Sequence, residues 1–125
     1  MANILIIDDD VQIQILLKRL LENLEYEVRV ARDGNAGMRL YREEEADLVI
    51  TDLIMPGKEG IETISELRKS FPEVKIIAIS GGGRIGPENY LSMAKSLGVQ
   101  RTFCKPFELE EMITAVQELI GTADG

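Results

Sequence analysis

At 125 residues, 45% apolar and 29% charged, the chain has the length of one domain and the balance of a globular one rather than a disordered or fibrous one. Its formal net charge of −8 argues against nucleic-acid binding, which needs a basic face, and makes cations the expected charged partners. The chain has no histidine, so any chemistry must run on carboxylates, lysine, Ser/Thr hydroxyls and backbone.

Met1-Ala2-Asn3 enters a strand-like segment with no basic flank and no long apolar stretch behind it. No apolar run approaches the roughly 18 residues a membrane span requires, so the expectation is a cytoplasmic protein without membrane insertion. Ile4-Leu5-Ile6-Ile7 is all apolar and too short for a helix; it reads as a central strand buried on both faces. Ile13, Leu16, Leu17, Leu20, Leu21 and Leu24 recur at helical spacing, and Asp9 or Asp10 is placed to cap that first helix. Glu27-Val28-Arg29-Val30 alternates as a half-buried strand nearer an edge does. Asp33 caps a second helix carrying Ala36, Gly37, Leu40 and Tyr41 on one face.

Leu48 to Asp52 is a third strand ending on a carboxylate, and Met55-Pro56-Gly57 breaks the chain before a helix with Ile61, Ile64 and Leu67. Val74 to Ser80 is a fourth strand, followed by glycines and a helix holding Tyr90, Met93, Ala94 and Leu97. Gln100 to Phe103 is a short fifth strand, beside which the lone Cys104 is expected as a small buried thiol. Leu109, Met112, Ile113 and Val116 mark the last helix. Strict alternation of this kind predicts one α/β domain over 1–125, with its core over about 3–120 and a tail at 121–125. The fold is a doubly wound, five-stranded parallel sheet, and the two most apolar strands avoid the edges in the order 2-1-3-4-5.

In such sheets ligands bind beyond the carboxyl ends of the strands. Those ends carry Asp8-Asp9-Asp10, Asp52, Ser80 and Lys105-Pro106, which brings carboxylates, a hydroxyl and an amine together. Like charges there repel by a few kcal/mol, which a hard divalent cation such as Mg²⁺ would offset. The set suits phosphoryl transfer, with Asp52 as nucleophile and Ser80 and Lys105 holding phosphoryl oxygens.

Over nearly its whole length the chain resembles the receiver domain of two-component response regulators, the CheY-like superfamily. Asp8-Asp9 after the first strand, Asp52 followed by Met55-Pro56, Ser80 ending the fourth strand, and Phe103 two residues before Lys105-Pro106 match that pattern in order. The resemblance implies Asp52 as phosphoacceptor, Asp9 as main ligand of Mg²⁺ or Mn²⁺, Asp8 assisting, and the Ile54 carbonyl as a further ligand. It implies Ser80 and Phe103 as switch residues that remodel the surface of the fourth helix, fifth strand and fifth helix toward a downstream protein. It implies a histidine kinase or histidine phosphotransfer protein as donor, and a chain that is no enzyme beyond catalysing its own phosphorylation and dephosphorylation. Ile54 and Gly82 lie where the family tunes the phosphoryl lifetime, and neither offers a polar group to an attacking water, so dephosphorylation is expected to be slow or ordinary.

The glycine-rich stretch from Gly81 through Gly86 makes the loop before the fourth helix longer than is usual in that family. It also satisfies the Gly-x-Gly-x-x-Gly fingerprint of dinucleotide sites, but too few residues follow for the remaining βαβ units. A haloacid-dehalogenase-like phosphatase needs Thr or Val two places beyond Asp10, where Gln12 stands. A degenerate receiver that binds without being phosphorylated is the third alternative, although the acceptor, acidic pair, hydroxyl and lysine are all present.

Overall fold

The computed structural model describes residues 2–53, 60–81 and 87–122, the side chains of 87–91 excepted. The described elements are β1 (Asn3–Ile7), α1 (Val11–Asn23), β2 (Glu27–Ala31), α2 (Gly34–Glu43), β3 (Leu48–Asp52), α3 (Gly60–Ser70), β4 (Ile76–Ser80), α4 (Pro87–Ser96), β5 (Arg101–Cys104) and α5 (Leu109–Ile120). Every strand pairing is parallel, and the order is β2-β1-β3-β4-β5, as expected.

Alternate side chains of the central strands feed two cores, which is the period-two consequence of the pleat. Leu5, Ile7, Val49, Ile76 and Ala78 meet Met38 and Tyr41 of α2, Ile64 and Leu67 of α3, and Ala94 of α4. On the other face Ile4, Ile6, Leu48, Ile50, Ile77 and Ile79 meet Leu17 and Leu21 of α1 with Met112, Ala115 and Val116 of α5. The sheet is therefore covered on both sides, and Ile4 to Ile7 are wholly buried, as that uninterrupted apolar run requires.

Helix starts follow their caps. Asp10 rather than Asp9 is the N-cap of α1, accepting from the backbone N–H groups of Gln12 (2.9 Å) and Ile13 (3.4 Å). Asp33 caps α2 through the Ala36 N–H at 2.8 Å.

Four expectations need correction. Leu16 is exposed, because only Leu17 and Leu21 of the long α1 stripe reach the sheet fully. Met93 points outward on α4 and is exposed, while Ala94 takes the buried place. β4 begins at Ile76, since Val74 closes the preceding turn through its N–H to the Phe71 carbonyl. Cys104 is exposed rather than buried; it ends β5, the edge strand beside β4. The Tyr90 side chain, Met55-Pro56-Gly57 and the stretch 82–86 lie outside the described residues.

Candidate functional site

Because β1, β3, β4 and β5 run in one direction, their carboxyl ends open on the same side of the sheet. Asp8 follows β1, Asp52 ends β3, Ser80 ends β4 and Lys105 follows β5. Asp8, Asp52 and Ser80 are buried, Asp9 is exposed and Lys105 is half-buried. Carboxylate oxygens of Asp8, Asp9 and Asp52 lie within 4.8 Å of one another. The Lys105 Nζ stands 3.2 Å from Asp8 Oδ2 and 3.3 Å from Asp52 Oδ2.

Local contacts place Asp8, the end of β3 and Lys105. The Asp8 N–H donates to the Ala31 carbonyl at 3.0 Å, extending the β1–β2 ladder by one residue. Asp8 Oδ1 accepts from the Asp10 N–H at 2.9 Å, and the Gln14 side-chain amide donates to the Asp8 carbonyl at 2.5 Å. Beyond Asp52 the Leu53 N–H donates to the Ile79 carbonyl at 2.9 Å, which ties the end of β3 to β4. Gly60, at the start of α3, lies so close that a Cβ there would sit 2.0 Å from the Asp52 carbonyl oxygen. Only glycine permits that approach of backbone to backbone. The Lys105 N–H donates to the Ser80 carbonyl at 2.8 Å, joining the lysine to the end of β4.

At separations near 4.8 Å, two ionised carboxylates repel by about 3 kcal/mol at an effective dielectric of 20. Burial pushes the Asp8 carboxyl up to about 6, and the Asp52 charge adds to the rise, while the Asp10 N–H and Lys105 oppose it. Burial works against the charged form of Lys105, but Asp52 and Asp8 outweigh it and the amine is pushed up. Three carboxylates against one ammonium leave an excess of two negative charges when all are ionised. A divalent cation matches that excess, and the donor set is entirely hard oxygen, which suits Mg²⁺ or Mn²⁺ and not a thiolate- or imidazole-seeking metal. The Ile54 carbonyl lies outside the described residues.

Ser80 Oγ is fully buried and finds no hydrogen-bond partner among the described residues. An orphan hydroxyl at the rim of a charged cluster is costly unless an incoming group accepts from it. Phe103, expected with Ser80 as a switch residue, is half-buried on β5 opposite Ile79, with its ring 6.1 Å from that of Phe107. Of the glycine loop only Gly81 is described; it is exposed, and a Cβ there would meet the Lys105 side chain at 3.4 Å. The structure thus brings Asp8, Asp9, Asp52 and Lys105 together with Ser80 on the same edge. Sequence reasoning missed Gln14 and Gly60, whose contributions depend on which backbone atoms they meet.

The family profile described as response regulator receiver domain matches residues 4–117. A probable C4-dicarboxylate response regulator, DctR of Bacillus subtilis, is 35% identical over 92% of this chain, which spans 50% of that protein's length. A response regulator receiver domain protein from Clostridium thermocellum superposes with a TM-score of 0.88 at 30% identity, over 96% of this chain and 94% of its own. The response regulator TrrA from Thermotoga maritima, solved in complex with Mg²⁺-BeF, gives a TM-score of 0.83 at 32% identity over 95% and 99% of the two chains. With the profile covering most of its length and the expected strand order in place, this chain belongs to the response regulator receiver domain family of two-component signal transduction.

Proposed function

We propose that the chain accepts a phosphoryl group on Asp52 and relays that event to a partner through the α4, β5 and α5 surface. The observation that carries this reading is the buried Asp52 carboxylate, clustered with Asp8 and Asp9 and 3.3 Å from the Lys105 ammonium. An Asp52 carboxylate oxygen attacks the phosphorus, and the bond from phosphorus to the donor's imidazole nitrogen breaks with its electron pair left on that nitrogen. Lys105 turns from the carboxylates to a phosphoryl oxygen, and the unpartnered Ser80 hydroxyl donates to another. Asp8, Asp9 and Asp52 would hold Mg²⁺ or Mn²⁺, with the Ile54 carbonyl as the family implies; the cation supplies neutralisation of charge on the transferred group. The complex of TrrA with Mg²⁺-BeF supports this assignment by likeness.

The donor is a histidine kinase or histidine phosphotransfer protein. In support, Val11, Ile15 and Leu16 leave an exposed apolar strip on α1 directly after the acidic cluster. The strip continues into a groove of about 430 Å³ lined by Ile13, Leu16, Gly81, Lys105, Pro106 and Phe107. A donor helix laid on that strip brings its imidazole to the end of β3. The receiving surface responds because Ser80 and Cys104 are paired across β4 and β5, one residue from Phe103. No described helix is long and apolar enough to cross a membrane. The chain turns over no separate substrate; it catalyses its own phosphorylation and dephosphorylation.

Intact mass after incubation with acetyl phosphate tests the reading. The expected result is a gain of one phosphoryl group that needs Mg²⁺ and is lost in Asp52→Asn. A wild-type chain that stays unmodified with Mg²⁺ present would sink it and favour a receiver that works by binding alone.

A further inference from the structure

Among the carboxylates of the cation site, Asp9 is the one whose side chain no other described residue fixes. Asp8 is held by the Asp10 N–H and by Lys105, and Asp52 by Lys105. Asp9 is exposed, and no hydrogen bond or ion pair among the described residues reaches its carboxylate. Its position therefore depends on the backbone on either side. On the far side Asp10 is pinned by its cap bonds to Gln12 and Ile13 and by its N–H to Asp8 Oδ1. On the near side, among the described residues, the Asp8–Asp9 peptide is held by the Gln14 amide donating to the Asp8 carbonyl at 2.5 Å.

We propose that Gln14 is a positioning residue for the cation site: by holding the Asp8 carbonyl it sets the plane of the Asp8–Asp9 peptide, and so where the Asp9 carboxylate stands. Gln14 lies in the first turn of α1, and helical side chains lean toward the N-terminus, so its amide reaches back over the loop that carries the acidic pair. A solvated glutamine would extend into water; this one is half-buried and spends its donor on a carbonyl six residues earlier. Outer partners of metal ligands fix geometry in this way, and their loss weakens binding without removing a ligand. The proposal rests on the cation reading of the preceding subsection.

The test is titration of the phosphate-free protein with Mn²⁺, free ion being read by electron paramagnetic resonance, so that no activity enters. Gln14→Met keeps length and helix preference and removes the donor. It is expected to weaken Mn²⁺ binding about tenfold, the low end for outer-sphere partners. The metal-free melting temperature is expected to stay within about 3 °C, as for loss of one part-exposed hydrogen bond. In an Asp9→Asn background the same change is expected to weaken Mn²⁺ binding by less than about twofold, because the two residues act through one path. Equal affinity of Gln14→Met and wild type overturns the proposal. So does an equal loss in both backgrounds, which makes Gln14 a general support of the fold. A wild-type chain that binds no Mn²⁺ at millimolar concentration overturns the cation reading itself, and is told apart by the wild-type titration alone.

Discussion

Removing one charge from the acidic cluster is expected to stabilise the metal-free protein. Asp8 is buried, and its carboxyl is raised from an ordinary 3.8 to about 6, mainly by burial and then by Asp52, against the opposing pull of the Asp10 N–H and Lys105. That rise corresponds to about 3 kcal/mol of cost at pH 7 in keeping Asp8 ionised in the folded state. Because the folded value lies above the unfolded one, the penalty is absent below about pH 4, grows as pH rises to about 6, and is constant above that. Asp8→Asn keeps the shape and leaves an oxygen to accept from the Asp10 N–H. In EDTA at pH 7 it is expected to raise the unfolding free energy by up to about 3 kcal/mol and the melting temperature by roughly 10 °C. That advantage fades toward zero near pH 4, and Mg²⁺ narrows it by binding the wild-type site more tightly. Urea denaturation followed by circular dichroism at several pH values measures all of this. A variant no more stable than wild type at pH 7 in EDTA, or one whose advantage is the same at pH 4, refutes the reasoning.

Gly60→Ala places a methyl 2.0 Å from the Asp52 carbonyl and 2.6 Å from Leu53 Cα, both backbone atoms that cannot step aside. It is expected to cost about 3 kcal/mol or more and to slow phosphorylation by shifting Asp52, which denaturation and acetyl phosphate kinetics check. Ser80→Ala removes a buried hydroxyl that has no described partner. It is expected to leave the unphosphorylated protein as stable or more stable by up to about 1 kcal/mol, while abolishing the phosphorylation-linked change at Phe103 seen by aromatic NMR. The Arg68 guanidinium donates to the carbonyls of Pro72, Val74, Leu97 and Gly98, stitching the end of α3 to the end of α4. Arg68→Met is expected to cost about 2 to 3 kcal/mol by stranding these acceptors, again measured by urea denaturation.

What the sequence made legible was whatever depends on local pattern. Ile4 to Ile7, too short for a helix and apolar throughout, read as a strand covered on both faces and so away from an edge, and it lies between β2 and β3. Asp33 and Asp10 read as caps because capping is a contact between residues two or three apart. The acidic cluster was legible because topology alone brings strand ends together. Leu16 and Met93 were misplaced because helical spacing selects a stripe but not the width of that stripe the sheet covers. Cys104 was misplaced because exposure at the end of an edge strand depends on what the neighbouring layer leaves uncovered. Gly60, Gln14 and Arg68 act on backbone carbonyls, and no side-chain pattern in the sequence marks which carbonyl a donor will meet.

The central claim is that Asp52, and not its acidic neighbours, carries the phosphoryl group. Borohydride reduction of the acetyl phosphate-treated protein converts an aspartyl phosphate to homoserine, and peptide mass spectrometry then locates it. The account predicts homoserine at position 52, dependent on Mg²⁺, with Asp8 and Asp9 unchanged. Homoserine at Asp8 or Asp9, or at no position despite Mg²⁺, would contradict it.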